Sequence, residues 1–305
     1  MENENDWLVH VTKGSFHNEY ILGDIIGRGL TSTVHSCLHK GRKKYACKIM
    51  PKTRLKEADT SRKLQALLKL RHDNIVSVKE VYEDDLRIFV IEDLAAGGEL
   101  LERLASRGGY SERDAANAVR DAAAALEYVH SMGLCHGNLR PEKLLYANEN
   151  EDSRLLLAGS ETTNRSLNSY KMLYCAPEVI STGEAAPSSD IWSLGIVLYI
   201  MLCGFEPFRK AAEMFPSPYW DDKTEESKRL VTQLMRQSPN ERPTAADLLT
   251  NSWIRGEKTA KHSMHEVAQH LREFNARRKF KAATHAVRAT HRAIAMTQCH
   301  GAVIG

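Results

Sequence analysis

Apolar and polar residues alternate from Tyr20 to Leu38 around a glycine-containing turn, and Lys44 to Met50 repeats the pattern over a shorter span. A period of two is that of half-buried strands. Residues 56–70 switch to helical spacing through Leu64, Leu67, Leu68 and Leu70, and residues 75–94 return to strand character. Gly97-Gly98 then punctuates a change of regime. Beyond it, Ser111 to His130 predicts an alanine-rich helix, with Ser111 as N-cap and Asp114 three residues on. Pro187 to Gly204 is apolar on all sides and predicts a buried helix, followed by a proline-rich turn and further helices to Trp253. Strands first and helices afterwards predict a two-lobed α+β fold, with no βαβ repeat. The boundaries drawn are an N-terminal extension over 1–19, a strand-rich lobe over 20–94, a helical lobe over 95–256 and a basic tail over 257–305.

Composition changes this picture only at the C-terminus. The chain has 305 residues, 42% hydrophobic, with a net charge of +3. From Phe274 to Gly305 there is no Asp or Glu, yet Arg277, Arg278, Lys279, Lys281, Arg288 and Arg292 fall there, so the basic excess lies in the tail. Phe280, Val287 and Ile294 recur every seven residues and would share one helical face. The six cysteines (37, 47, 135, 175, 203 and 299) form no CxxC pair, which suits reduced thiols and no metal site. The opening MENENDW is polar and acidic, unlike a secretory signal. The apolar run from Ile191 to Phe205 is too short, and too interrupted by Ser193 and Gly195, to span a bilayer. The expected location is the cytoplasm, with peripheral contact to membranes or vesicles allowed but weak, and no nucleic-acid partner.

The chemistry concentrates in CHGNLRPEKLLY (135–146). Together with GRGLTSTV (27–34), YACKI (45–49), GGEL (97–100), GYSERDAANAV (109–119), APE (176–178), SDIWSLGIVLYIMLCGFEPF (189–208) and ERPTA (241–245), it resembles a protein kinase, and more narrowly the type I/IV calcium/calmodulin-dependent kinases. Each segment is weak alone; their order and spacing make the resemblance specific, from about Tyr20 to Ile294. It implies a two-lobed kinase-like fold with a C-terminal regulatory helix. It further implies a nucleotide pocket of Gly27, Gly29, Val34, Ala46, Lys48 and Leu145, with Lys48 against the phosphates. The ordinary alternative for Gly27 and Gly29 is a plain strand–turn–strand, with Lys48 simply solvated.

Against that pattern the catalytic positions are altered. Asn138 stands where the family has its base Asp, Gly137 replaces the preceding Arg, and Lys143 replaces the metal-binding Asn. Lys63 falls where the Glu partner of Lys48 belongs. Gly159, with Ser160 after it, takes the Asp position of the metal-binding triplet, Ala158 being the alternative. An amide accepts no proton at neutral pH and an ammonium repels a divalent cation. Glu92, where a bulky apolar residue is usual, is expected to contact Lys48 or Lys63, unless a one-residue slip leaves it on the surface. The segment up to Ala176-Pro177-Glu178 is short for the family, so an activation loop switched by phosphorylation is not expected, although Ser166, Ser169 and Tyr170 could be modified. Glu178 with Arg242, Asp190, Trp192 and Gly195 are read as builders of the fold.

The tail gives the positive function. EFNARRKFKAA (273–283) is similar to the family's regulatory segment, and a basic amphipathic helix suits the acidic, methionine-lined groove of calcium-loaded calmodulin. The contacts expected are Arg277, Arg278, Lys279, Phe280, Lys281, Val287 and Ile294. A solvated or membrane-surface helix is the alternative, and His285 and His291 are read as solvated. The resulting expectation is a kinase homologue without phosphoryl transfer, acting as a calcium/calmodulin-responsive scaffold or allosteric regulator toward signalling partners. It would require no cofactor, though ATP without Mg²⁺ remains open. The rival is a weak, atypical Ser/Thr kinase with metal-independent nucleotide binding.

Overall fold

A computed structural model of the chain describes residues 12, 15–29, 32–55, 57–159, 171–207, 214–281 and 284, apart from the side chains of Arg54, 57–59, Lys63 and Lys171. The first lobe is a five-stranded antiparallel sheet in the order β1-β2-β3-β5-β4. Its strands are β1 (Tyr20–Arg28), β2 (Thr33–His39), β3 (Lys43–Pro51), β4 (Val78–Glu83) and β5 (Arg87–Asp93). The short helix α1 (Phe16–Glu19) precedes the sheet, and α2 (Glu57–Lys69) lies between β3 and β4. Strand alternation divides the apolar side chains between two faces. Cys37, Cys47, Ile49, Phe89 and Ile91 pack with Phe16 and Tyr20. Met50, Val78, Val81, Ile88 and Val90 pack against Leu64 of α2. Lys48 lies two residues before Met50 on β3, and so shares the face toward α2.

The second lobe is helical: α3 (Leu100–Ser106), α4 (Glu112–Ser131), α5 (Pro177–Thr182), α6 (Pro187–Cys203), α7 (Glu225–Leu234) and α8 (Ala245–Thr250). Helix α4 begins in a capping box: the Ser111 hydroxyl accepts from Asp114 N–H, and the Asp114 carboxylate accepts from Ser111 N–H. Helix α6 is buried around nearly its whole circumference and stops at Gly204, whose φ of 86° favours glycine. A β-carbon on Gly195 of α6 would come within 2.8 Å of Leu234 Cβ, so close passage of α7 requires glycine there. The ribbon β6 (Leu144–Tyr146) and β7 (Leu155–Leu157) closes this lobe against the first, with Leu144 paired to Leu157.

Two buried ionic groups bind distant segments. Glu178 receives two hydrogen bonds from Arg242, at 2.6 and 2.8 Å, and Arg242 also donates to the carbonyls of Ser188, Arg236 and Gln237. Glu112, unrecognised in the sequence, is fully buried and accepts from Thr224 N–H and hydroxyl, Ser227 hydroxyl, Trp253 Nε1 and Ala260 N–H.

The helical lobe does not finish at residue 256. A C-terminal helix over 265–281 buries Val267, Ala268, Leu271 and Phe274 in the same core as α4 and α6, just after buried Met264. Among the described residues no helix is long and apolar enough to cross a membrane, and no three His, Cys, Asp or Glu side chains are grouped to hold a metal ion.

Candidate functional site

The cleft between the lobes gathers most of the residues singled out in the sequence. On its upper side β1 turns into β2 with Gly27 opposite Val34, and Gly29 N–H donates to the Ser32 carbonyl at 2.8 Å. Val34 is in turn opposite Lys48, and Ala46 opposite Glu92. Below, Leu145 is half-buried between fully buried neighbours, while Ala46 above is buried and Val34 half-buried. By strand register and alternation, Val34, Ala46 and Lys48 share one face of the sheet.

The loop that follows α4 is held by Asp190 of α6. One carboxylate oxygen accepts from His136 N–H at 2.8 Å and lies 3.0 Å from His130 Nε2; the other accepts from Gly137 N–H at 2.8 Å. Gly137 has φ +69°, a value that side chains disfavour. His136 Nε2 donates to the Ala158 carbonyl at 3.0 Å, which leaves Nδ1 to accept from Asn138 N–H at 3.3 Å. Only the neutral ring can do both. Burial, aided by the charges of Lys143 and Arg140, holds its pKa below the ordinary histidine value.

Lys143 brings the two ends of the loop together. Its carbonyl accepts from Ala158 N–H at 2.8 Å, and its ammonium donates to the Gly159 carbonyl at 3.2 Å. Both candidates for the Asp position, Ala158 and Gly159, are therefore beside Lys143, and neither carries a carboxylate. A β-carbon on Gly159 would meet only ordinary contacts, Leu67 at 3.5 Å and Glu92 Oε1 at 4.0 Å.

Glu92 is thus a half-buried residue of β5 facing the cleft, and a surface position through a one-residue slip is excluded. Its expected ion pair with Lys48 is not formed: among the described residues Lys48 makes none, because Lys48 faces Val90, two residues along the strand from Glu92. Lys63 lies within α2, but its side chain is outside the described residues, as are Ser160, Glu161, Ser166, Ser169 and Tyr170.

The second site is where the C-terminal helix meets the helical lobe. Arg278, expected among the calmodulin contacts, is 4% exposed and bonds to Glu99 beside α3, with Glu142 at 3.8 Å and Glu102 at 4.0 Å. It lies one turn from buried Phe274, so core packing of that face draws Arg278 inward. Asn275 Nδ2 donates to the Leu101 carbonyl and Arg272 to that of Ala105, at 2.9 and 3.0 Å. Phe280 is 71% exposed, with Arg277, Lys279 and Lys281 also outward. Val287 and Ile294 lie outside the described residues. Burial first, and the charges of Glu142 and Glu102, push the Glu99 pKa up to about 7 against the pull of Arg278.

A small sheet lobe over a helical lobe, with a glycine turn, an inward lysine and an Asp-anchored loop at their junction, defines a nucleotide-cleft fold of the kinase type. The chain belongs to the protein kinase family, whose domain matches residues 20–254, and within it to the calcium/calmodulin-dependent kinases. It is 35% identical to the human calcium/calmodulin-dependent protein kinase type IV, over 97% of this chain and 67% of that protein. The rat type IV kinase is 37% identical, over 90% of this chain and 62% of its own length. The Caenorhabditis elegans type 1 kinase is 33% identical, over 90% of this chain and 86% of its own. The chain therefore spans about two thirds of the length of the type IV relatives.

Such domains hold Mg²⁺ against the nucleotide phosphates with an Asp and an Asn. A protonated amine has no lone pair to give a metal, and Mg²⁺ demands oxygen ligands in tight octahedral geometry. The donor set at Lys143, Ala158 and Gly159 does not fit that ion.

Proposed function

We propose that this protein is a kinase homologue that transfers no phosphoryl group and serves as a calcium/calmodulin-responsive scaffold or allosteric regulator. The observation that carries the reading is the Lys143 ammonium 3.2 Å from the Gly159 carbonyl, in the place where a transferring kinase needs a dication. Asn138 compounds it, since an amide cannot take the proton of an attacking hydroxyl. The intact Asp190 and Glu178–Arg242 contacts support a lobe retained for its shape.

Regulation is read from the C-terminal helix and from the calmodulin-dependent kinases the chain resembles. Phe280 is exposed while the helix is docked, so calcium-loaded calmodulin can grip it first. Enclosing the helix then withdraws Arg278 from Glu99, uncovering an acidic face beside the cleft for a signalling partner.

With radiolabelled ATP, Mg²⁺ and a generic basic peptide, the purified protein gives no transfer above a buffer blank, and Asn138→Asp alone restores none, because the metal-holding positions remain altered. Stoichiometric autophosphorylation that Lys48→Ala abolishes would sink this reading.

A further inference from the structure

Beside the tail, the sequence has a second stretch without Asp or Glu, between Asp24 and Glu57. The fold gathers part of it at one end of the first lobe. Strands β2 and β3 are joined by the turn Lys40-Gly41-Arg42, closed by the Arg42 N–H on the His39 carbonyl at 2.9 Å. Lys40, Arg42, Lys43 and Lys44 are all exposed there. Lys43 and Lys44 are successive strand residues, so they leave the ribbon on opposite faces. Cations therefore surround the end of the hairpin.

The acids close to this end are already engaged. Glu19 lies 2.8 Å from the Lys40 amine and 3.5 Å from His39. Glu80 accepts from the Tyr20 and Tyr82 hydroxyls at 3.0 and 2.7 Å, and Asp93, opposite Tyr45, has Lys79 at 3.9 Å. Among the described residues Arg42, Lys43 and Lys44 form no ion pair. Uncompensated charge of one sign on a protruding end attracts a surface of the opposite sign.

Shape and neighbours select the kind of surface. A hairpin end offers a point of contact and not a groove along which a nucleic-acid backbone could run. Tyr45 beside it is half-buried, with the Lys43 amine 5.0 Å from its ring centre, so it gives no open platform for stacked bases. Ile21 of β1 is 66% exposed and falls in one cross-strand row with Leu38 and Lys44. A bare aliphatic side chain beside exposed cations matches the boundary between headgroups and acyl chains. We propose that the end of the β2–β3 hairpin docks the first lobe onto an anionic phospholipid surface, with Lys40, Arg42, Lys43 and Lys44 on the headgroup phosphates and Ile21 at the acyl boundary.

The test is co-sedimentation of the full chain with vesicles of phosphatidylcholine alone and of phosphatidylcholine mixed with phosphatidylserine, with single-stranded RNA as a polyanion without lipid. The mixed vesicles carry the protein down, the neutral ones do not, and high salt releases it. Arg42→Gln with Lys43→Gln weakens binding by about thirtyfold, the effect of two cations beside an anionic leaflet. Arg277→Gln with Lys281→Gln removes the same charge from the tail and weakens it less. Circular dichroism checks that each variant is folded, and the wild-type comparison between the two vesicles decides even if one is not. Equal binding to both vesicles, or binding to neither, overturns the proposal. So does tighter binding to RNA than to the mixed vesicles, unchanged binding in the folded hairpin variant, or a larger loss in the tail variant.

Discussion

Arg242 shows how a single side chain can be indispensable without touching the cleft. Its guanidinium is fully buried, stacks over Trp192 at 5.1 Å, and has Glu178 as its carboxylate partner. Burial pushes the Glu178 carboxyl up, but the Arg242 bonds prevail and hold it below the ordinary carboxylate range. Removing one member of such a pair strands a buried charge, which typically costs about 3–5 kcal/mol. Glu178→Ala therefore lowers the urea midpoint by the equivalent of about 3 kcal/mol or more, with the denaturant slope unchanged. A loss below about 1 kcal/mol would mean that water or the three backbone carbonyls suffice for Arg242.

The C-terminal helix presents two opposed faces with different tasks. Met264, Val267, Leu271 and Phe274 hold its first turns in the core, and Arg278 continues that face into the Glu99 cluster. Phe280 points away from it. Phe280→Ala is thus expected to leave the unfolding midpoint unchanged while weakening calcium–calmodulin binding roughly ten- to a hundredfold, the effect of about 1.5–3 kcal/mol of lost burial. Arg278→Ala acts in the opposite sense, because a helix released from Glu99 needs less work to withdraw. Calorimetry of both variants with calmodulin, in calcium and in chelator, checks the pair. Equal binding with and without calcium would reduce the tail to a plain basic helix.

For the whole molecule, Glu99 links stability to pH. Its carboxyl titrates at about 7 when folded, raised by burial from an ordinary 4.5. Between those values the folded protein keeps a proton that the unfolded chain has released. Stability contributed by this group therefore falls as pH rises from about 4.5 to about 7, and is level outside that window. Glu99→Gln cannot titrate, so its stability relative to the wild type rises between pH 5 and pH 8 in urea unfolding. A difference that stays flat or falls would place the titration elsewhere.

Much of this architecture is legible in residue order, because periodicity, caps and turn residues are local. The period-two segments became β1 to β5, Ser111 and Asp114 formed their capping box, and the all-round apolar run became buried α6. Motif spacing along the chain is also what led Asn138, Lys143 and either Gly159 or Ala158 to be expected at the family's catalytic positions. What the sequence could not supply was which charges end up buried. Arg278 reads as one more basic residue of the tail, yet it meets Glu99 across 179 positions because Phe274, a turn earlier, is drawn into the core. Glu112 gathers donors from three later segments, and Glu92 faces Gly159 instead of pairing with Lys48. A charge's environment is set by segments that are remote along the chain and adjacent only after packing, so the chemistry of the cleft and of the helix latch was decided by tertiary structure.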